Sequence, residues 1–329
     1  MNESDLSSYR IAVLIPCYNE EKTISKVIQD FQNTLPMATI HVYNNCSTDR
    51  TVACARNTGA VVREESRPGK GNVVRRMFAD IEADIYVLVD GDDTYHAPSA
   101  IPMVQKLLAE QLDMVVGTRL SDYTKDAFRA GHRFGNTLLT GFLGAIFGRN
   151  CTDILSGFRV FSRRFVKSFP AVSKGFETES ELTVHALELR MPIGEVSTPY
   201  KTRPEDSVSK LRTYRDGMRI LLMILMMFKE ERPLTFFTII FGILSLISVA
   251  LAYPVIITYI ETGLVPRFPT AILSTGIMTL AFLSLTSGII LDTVTRGRRE
   301  IKRLIYLSIP AFGESSWSSA VKKPCSPPA

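Results

Sequence analysis

The stretch that decides the fold is YVLVDGDDTYH, residues 86–96. Tyr86, Val87, Leu88 and Val89 form a short, wholly apolar run that stops at Asp90, Asp92 and Asp93. A run of this length fits a strand buried on both faces. Three carboxyl groups in four positions repel one another, and burying them without a partner costs several kcal/mol. The strand must therefore end at the edge of a sheet, where a cation or water can meet the acids. Other runs of the same kind lie on either side. Ile11 to Ile15 is apolar and halts at Pro16, and Ile40 to Tyr43, Ala60 to Val62 and Met114 to Val116 read as further strands. Between them Ile24, Val27, Ile28 and Phe31 share one helical face, and helices are expected over about 71–81 and 99–112. Strand and helix alternate with short connections. That pattern specifies an α/β domain with a mainly parallel sheet and helices on both faces. Ligands of such sheets bind beyond the carboxyl ends of the strands. Tyr18–Glu20, Asn44–Cys46 and Asp90–Asp93 all fall there.

Asp90-Gly91-Asp92 offers two carboxylates around a residue without a side chain. Hard divalent cations take oxygen ligands and accept a diphosphate as co-ligand, so magnesium or manganese would relieve the repulsion. A solvated turn is the plain alternative, because Asp and Gly both favour turns. Two nucleotide motifs are excluded. PGKGNVV (68–74) lacks the third glycine of a dinucleotide fingerprint and the Gly-Lys-Ser/Thr ending of a P-loop.

Five segments occur in order: IPCYNEE (15–21), NNCSTDRT (44–51), RPGKGN (67–72), VDGDD (89–93) and TDILSGFR (152–159). Together they resemble the GT-A nucleotide-diphospho-sugar transferases of the large inverting family that includes dolichyl-phosphate mannose synthase. The resemblance covers about residues 10–215. The two apolar segments that follow resemble those of the bacterial polyprenyl-phosphate glycosyltransferases, which serve cell-envelope glycans. It implies transfer of a sugar from a nucleotide-sugar donor, UDP- or GDP-linked, to polyprenyl phosphate, with Mg2+ or Mn2+ as cofactor. By motif, Pro16, Tyr18 and Glu20 match the loop that holds base and ribose. Asn44 stands where the family usually has an acidic residue that contacts the nucleoside. Lys70 and Gly71, with Gly69, match a loop beside the donor, although a turn opening a helix would look the same. Asp90 and Asp92 match the metal pair, and Asp153 matches the carboxylate often assigned as catalytic base. Asp93 reads as a turn or supporting residue, and Thr94 as one reaching toward the sugar.

A lipid phosphate, with its second pKa near about 6, is largely ionised at neutral pH. Its oxygen is already a nucleophile and gains little from proton removal. The harder task is neutralising two anions that must meet. Arg119 and Arg133 are the first candidates, since the family positions a phosphate-binding arginine in each region. Arg203 and Lys210 in KTRPEDSVSKLR (201–212) follow. Asp153 is expected to orient rather than to remove a proton.

The chain has 329 residues, 46% hydrophobic, with a net charge of +5. From Leu234 to Ile260 and from Ala271 to Leu291 nearly every residue is apolar. Each run exceeds the roughly 20 residues that cross a bilayer, whereas a buried core helix would rarely need two in succession. The second run is followed by TRGRREIKR (295–303), so the positive-inside rule places both termini in the cytoplasm. The polar start, MNESDLSSYR, carries no signal-peptide core. Residues 215–229 hold nine consecutive apolar residues flanked by bases, the pattern of an interfacial helix or of an ordinary core helix; 133–148 are similar. The expected division is a catalytic domain over 1–211, an interfacial helix over 212–232, two spans within 233–292 (about 234–260 and 271–291) and a basic tail over 293–329. The family resemblance points to a bacterial inner membrane. Five cysteines without CxxC spacing support neither a disulfide framework nor a zinc site. The mild basic excess fits membrane surface and phosphate, and no nucleic-acid module is recognisable. A homo-oligomer is compatible with the hairpin. Rival readings are an enzyme extending a lipid-linked saccharide, a sugar nucleotidyltransferase and a non-catalytic membrane scaffold.

Overall fold

The computed structural model describes residues 6–119, 152–171, 178–201 and 225–311. Two compact units result, Met1–Gly217 with Lys302–Ala329, and Met218–Ile301.

The first unit is built on a seven-stranded sheet. Its strands are β1 (Ile11–Cys17), β2 (Thr39–Asn44), β3 (Val61–Glu64), β4 (Ile85–Leu88), β5 (Met114–Arg119), β6 (Arg159–Ser162) and β7 (Ile193–Thr198). They lie in the order β3-β2-β1-β4-β6-β5-β7. β1 pairs in parallel with β2 and β4, β2 with β3, and β5 with β7. Only β6 is reversed, antiparallel to both β4 and β5 among the described strands. The α/β class with a mainly parallel sheet is therefore what the chain adopts. Strands β6 and β7 fall outside the sequence reading because neither has an apolar run. RVFS and IGEVST mix charge, hydroxyl and glycine with few hydrophobes.

Alternation along β1 explains the layers. Ile11, Val13, Ile15 and Cys17 enter one core, while Ala12 and Leu14 enter the other. On the first face α1 (Ile24–Thr34) contributes Ile24, Val27, Ile28 and Phe31, and α4 (Ala100–Ala109) contributes Met103, Val104 and Leu107. A shorter helix, α2 (Thr51–Asn57), adds Ala55. The opposite face is covered by α3 (Lys70–Asp80), α5 (Arg163–Ser168) and α6 (Thr178–Glu188), through Val73, Met77, Phe165, Leu182 and Ala186. A sheet with both faces covered has to bury its central strands completely, and β4 does so at all four residues.

The second unit contains α7 (Pro233–Thr262) and most of α8 (Phe268–Leu307). Both are long and apolar enough to cross a membrane. The second helix does not stop where the apolar run does; it continues through the basic stretch, where Arg296 pairs with Asp292 one turn back. Ser274, Ala281, Gly288 and Thr295 recur every seventh residue on its buried face. Small residues let two apolar helices approach closely. A Cβ on Gly288 would come within 2.8 Å of Phe237, and Ser248 donates to the Ser274 carbonyl at 2.7 Å.

Candidate active site

Parallel strands end on one edge of the sheet, so Cys17, Asn44, Leu88 and Arg119 deliver the residues that follow them to the same place. Reversed β6 adds to that edge from the other direction: its beginning, not its end, lies there. The loop 152–158, which precedes β6, is thereby brought beside the end of β5. Two concentrations of charge result.

The first surrounds Asp90. Lys70, the first residue of α3, places Nζ 2.5 Å from Asp90 Oδ1 and 2.5 Å from Glu179 Oε1. Burial works to lower the lysine's pKa, but the charges of Asp90 and Glu179 outweigh it and hold the group well above its ordinary value. Across from Lys70, the Asp90 carboxylate lies against the backbone of Gly157, where any Cβ would overlap Oδ2. Gly91 is equally constrained, since a Cβ would sit 2.9 Å from the Cys17 sulfur. The buried Cys17 thiol senses this acidity: burial pushes its pKa up, and Glu20, Asp90 and Asp92 push in the same direction.

Asp92 is buried and accepts from the Thr94 hydroxyl at 2.6 Å. Thr94 is thus engaged with its neighbour and itself 1% exposed, rather than reaching outward. Asp93 adopts φ 56°, a left-handed turn conformation, and pairs with Lys26 at 2.6 Å and Lys201 at 3.7 Å. The three acids of the opening stretch have three different surroundings.

The second concentration joins β5 to the 152–158 loop. Arg119 grips Asp153 with two parallel bonds, Nε to Oδ2 and an η-nitrogen to Oδ1, each 2.7 Å. Burial opposes the Arg119 charge, but hydrogen bonding to Asp153 keeps its pKa raised. Its guanidinium also lies 5.5 Å over the Tyr200 ring, within reach of a cation–π contact. The loop is fixed from beneath. Ser156 donates to the Gly117 carbonyl at 2.6 Å, and the Gly157 N–H donates to the Tyr95 hydroxyl at 2.8 Å. Burial, then Asp90, pushes the pKa of that phenol up, so it stays a neutral hydroxyl. Arg159 is 0% exposed and donates to the carbonyls of Ile154 and Ser156 and to the Thr183 hydroxyl.

Beside the first two strands is a polar rim. Pro16 is the sixth residue of β1 and Tyr18 is exposed just beyond it. The Glu20 N–H donates to the Thr51 hydroxyl at 2.8 Å. Asn44 accepts from the Ser47 N–H at 3.1 Å, which turns the chain after β2. Its neighbour Asn45 is the latch for the next loop, donating to the carbonyls of Glu65 and Arg67 and accepting from the Gly69 N–H. Gly69, at φ 123°, then opens α3 at Lys70 and Gly71. Arg133, Arg203 and Lys210 lie outside the described residues, as do the apolar stretch at 133–148 and residues 215–224 of the stretch at 215–229.

The sequence-selected residues on β1, β2 and β5, those just after β4 and Asp153 in the 152–158 loop share one edge. Glu179, Tyr95, Asn45 and Arg159 were not selected. Arg159 stands within TDILSGFR and Asn45 within NNCSTDRT, so membership of a motif was the available signal for both. Glu179 carries none, being 89 residues beyond Asp90.

Residues 12–169 match the model of glycosyl transferase family 2. Glycosyltransferase AglJ of Haloferax volcanii is 35% identical over 228 residues, 69% of this chain and 75% of that protein. The chain belongs to this family. It is a glycosyltransferase, with a dolichyl-phosphate hexose transferase of Haloferax volcanii also similar, at 27% identity over 68% of this chain and 95% of that one. Among solved structures, Mycobacterium tuberculosis glucosyl-3-phosphoglycerate synthase in complex with Mn2+ and UDP-glucose superposes with a TM-score of 0.56. At 23% identity, covering 70% of this chain and 83% of that one, the likeness establishes the shared GT-A-like fold.

Proposed function

We propose that this family member is a membrane-anchored inverting transferase that moves one sugar from a nucleotide diphosphate to polyprenyl phosphate on the cytoplasmic side of a bacterial inner membrane. The observation that carries the reading is the division of one sheet edge into an acid-rich part, around Asp90 and Asp92, and a part built on a largely buried arginine, Arg119. The two long apolar helices supply a reason for the acceptor to be a lipid. The dolichyl-phosphate hexose transferase relative adds to this, because its acceptor is named as a lipid phosphate.

Asp90 and Asp92 fit a divalent cation by their chemistry. Both offer carboxylate oxygen, and Gly157 keeps the space beside Asp90 clear of side chain. Among the described residues no third His, Cys, Asp or Glu completes a cluster, which suits an ion that takes its remaining ligands from diphosphate and water. When bound, Mg2+ or Mn2+ supplies charge neutralisation for the leaving diphosphate. The synthase of the same fold holds Mn2+ together with UDP-glucose.

The rest of the chemistry belongs to side chains of this chain. Pro16, Tyr18, Glu20 and Asn44 form the rim for the nucleoside, and Lys70 faces the diphosphate. A phosphate oxygen of the lipid attacks the anomeric carbon while the bond from that carbon to the diphosphate breaks. The electron pair leaves with the nucleotide and the configuration inverts. No proton is transferred when the attacking phosphate is ionised. Asp153 is then a positioning residue, holding the Arg119 guanidinium where it meets the lipid phosphate; Arg133, Arg203 and Lys210 are further candidates for the same anion. Holding two anions in line supplies the proximity that the reaction needs.

The test is direct. Purified full-length protein is given undecaprenyl phosphate or a shorter polyprenyl phosphate with a panel of UDP- and GDP-sugars, and the lipid phase is read by mass spectrometry. A polyprenyl-phosphate sugar from one donor is the expected product. Its absence with every donor refutes the reading, and released pyrophosphate would make the protein a nucleotidyltransferase.

A further inference from the structure

Glu179 is the strongest feature of the edge that the reading above leaves without a task. It is the second residue of α6 and 6% exposed. Its carboxylate comes from an element far from Asp90 in sequence, and both are bonded to one ammonium. Lys70 is largely buried, with 14% of its side chain exposed. Two carboxyl groups, those of Asp90 and Glu179, stand against this single lysine. A buried pair could be satisfied by one acid and one base, so the second acid on Lys70 calls for a separate explanation. A lysine head is also a compact point charge on a flexible stem, able to move between partners in a way that an arginine fork is not.

We infer that Glu179 is a positioning residue that shares the Lys70 ammonium with Asp90, where it is an internal stand-in for a divalent cation, and keeps it when the cation and donor diphosphate arrive. Without donor, the ammonium sits on the oxygen the metal needs, which limits repulsion among the acids. With donor, Glu179 retains Lys70 beside the site, where its remaining hydrogens face the diphosphate. Lys70 therefore opposes the bare metal and favours the metal–nucleotide pair. An ordinary structural salt bridge would give no such opposition of sign. This rests on the proposed metal-dependent transfer, but its test does not require turnover.

Mn2+ is titrated into donor-free, full-length protein in detergent and followed by electron paramagnetic resonance. The titration is repeated with UDP and with GDP present. Lys70→Met should bind bare Mn2+ about ten-fold more tightly, since a nearby positive charge is gone, and should bind the Mn2+–nucleotide pair more weakly. Glu179→Gln should weaken bare Mn2+ binding, because the lysine then leans wholly on Asp90; in the Lys70→Met background that effect should fall by at least about half. Circular dichroism identifies folded variants, with Lys70→Gln replacing the methionine variant if that one does not fold. Unchanged or weaker bare-metal binding in a folded Lys70 variant overturns the inference. An equal Glu179→Gln effect with and without Lys70 also overturns it. If either occurs while sugar transfer to polyprenyl phosphate persists, the proposed function stands and the stand-in role falls. The expected metal pattern without transfer to any lipid phosphate would instead keep the stand-in role and remove the proposed acceptor.

Discussion

The two charged parts of the sheet edge differ in how they are balanced. Around Asp90, acids exceed bases and the one lysine is shared. Around Asp153, one arginine meets one carboxylate in a two-bond fork, held on a loop that Arg159 and Ser156 pin from below. In the function proposed above the first part accepts a cation, whereas the second has its cation, Arg119, built in. The contrast shows how differently the two acids are met: both oxygens of Asp153 already face a guanidinium.

The contrast can be broken most severely at Asp90. Asp90→Asn should lower turnover on the order of a thousand-fold, as loss of a principal electrostatic group does. It should also reduce Mn2+ affinity, checked by steady-state kinetics and metal titration. A variant within ten-fold of native turnover would remove the distinction between the two parts. Next comes the pin beneath the second part. Arg159→Met leaves buried carbonyls at Ile154 and Ser156 without their donor, and should cost roughly 3 kcal/mol of stability, measured from the unfolding midpoint. A smaller effect is expected at the fork. Arg119→Lys and Asp153→Asn should each lower kcat by about ten- to a hundred-fold, because lysine cannot reproduce bidentate geometry. Acting as a unit, the double variant should be no worse than the worse single one. Rescue of Asp153→Asn at high pH would instead make Asp153 a true base.

The smallest effect sharpens the comparison from outside the edge. His185 is buried against Phe165, Phe169 and Ser168, and burial, with Lys302 adding, lowers its pKa to about 3. The unfolded chain takes up a proton near about pH 6.5, while the fold takes it up only near about 3. Stability should therefore fall as pH drops through that window, by at most about 1.4 kcal/mol per pH unit. His185→Gln should flatten the acid side of the unfolding profile between about pH 6.5 and 5 while leaving the pH dependence of kcat unchanged. A shift in kcat as well would tie the helix core to the site.

Much of the donor part was legible in the chain because it depends on local signals. Apolar runs ending at Asn44 and Asp90 give strand, strand end and clustered acids in one reading. The fork and the lysine bridge were not legible, since Arg119 and Asp153 are 34 residues apart and Glu179 is 109 from Lys70. Their meeting depends on the reversal of β6, a four-residue strand whose Arg159 looks like a surface residue. In fact its guanidinium is buried beneath the loop. Burial of a charged side chain is a tertiary outcome, and periodicity carries no trace of it.

The reversal of β6 has a consequence for how such a catalyst can diversify. Because the 152–158 loop enters β6 at the edge where β5 ends, Asp153 meets Arg119 of β5 on a loop fixed from beneath by Ser156. The 33 residues between Arg119 and Asp153 join two points that the fork itself brings together. One lineage could exchange its acceptor there and leave the nucleotide rim untouched, as a tool changes its jaw without changing its handle.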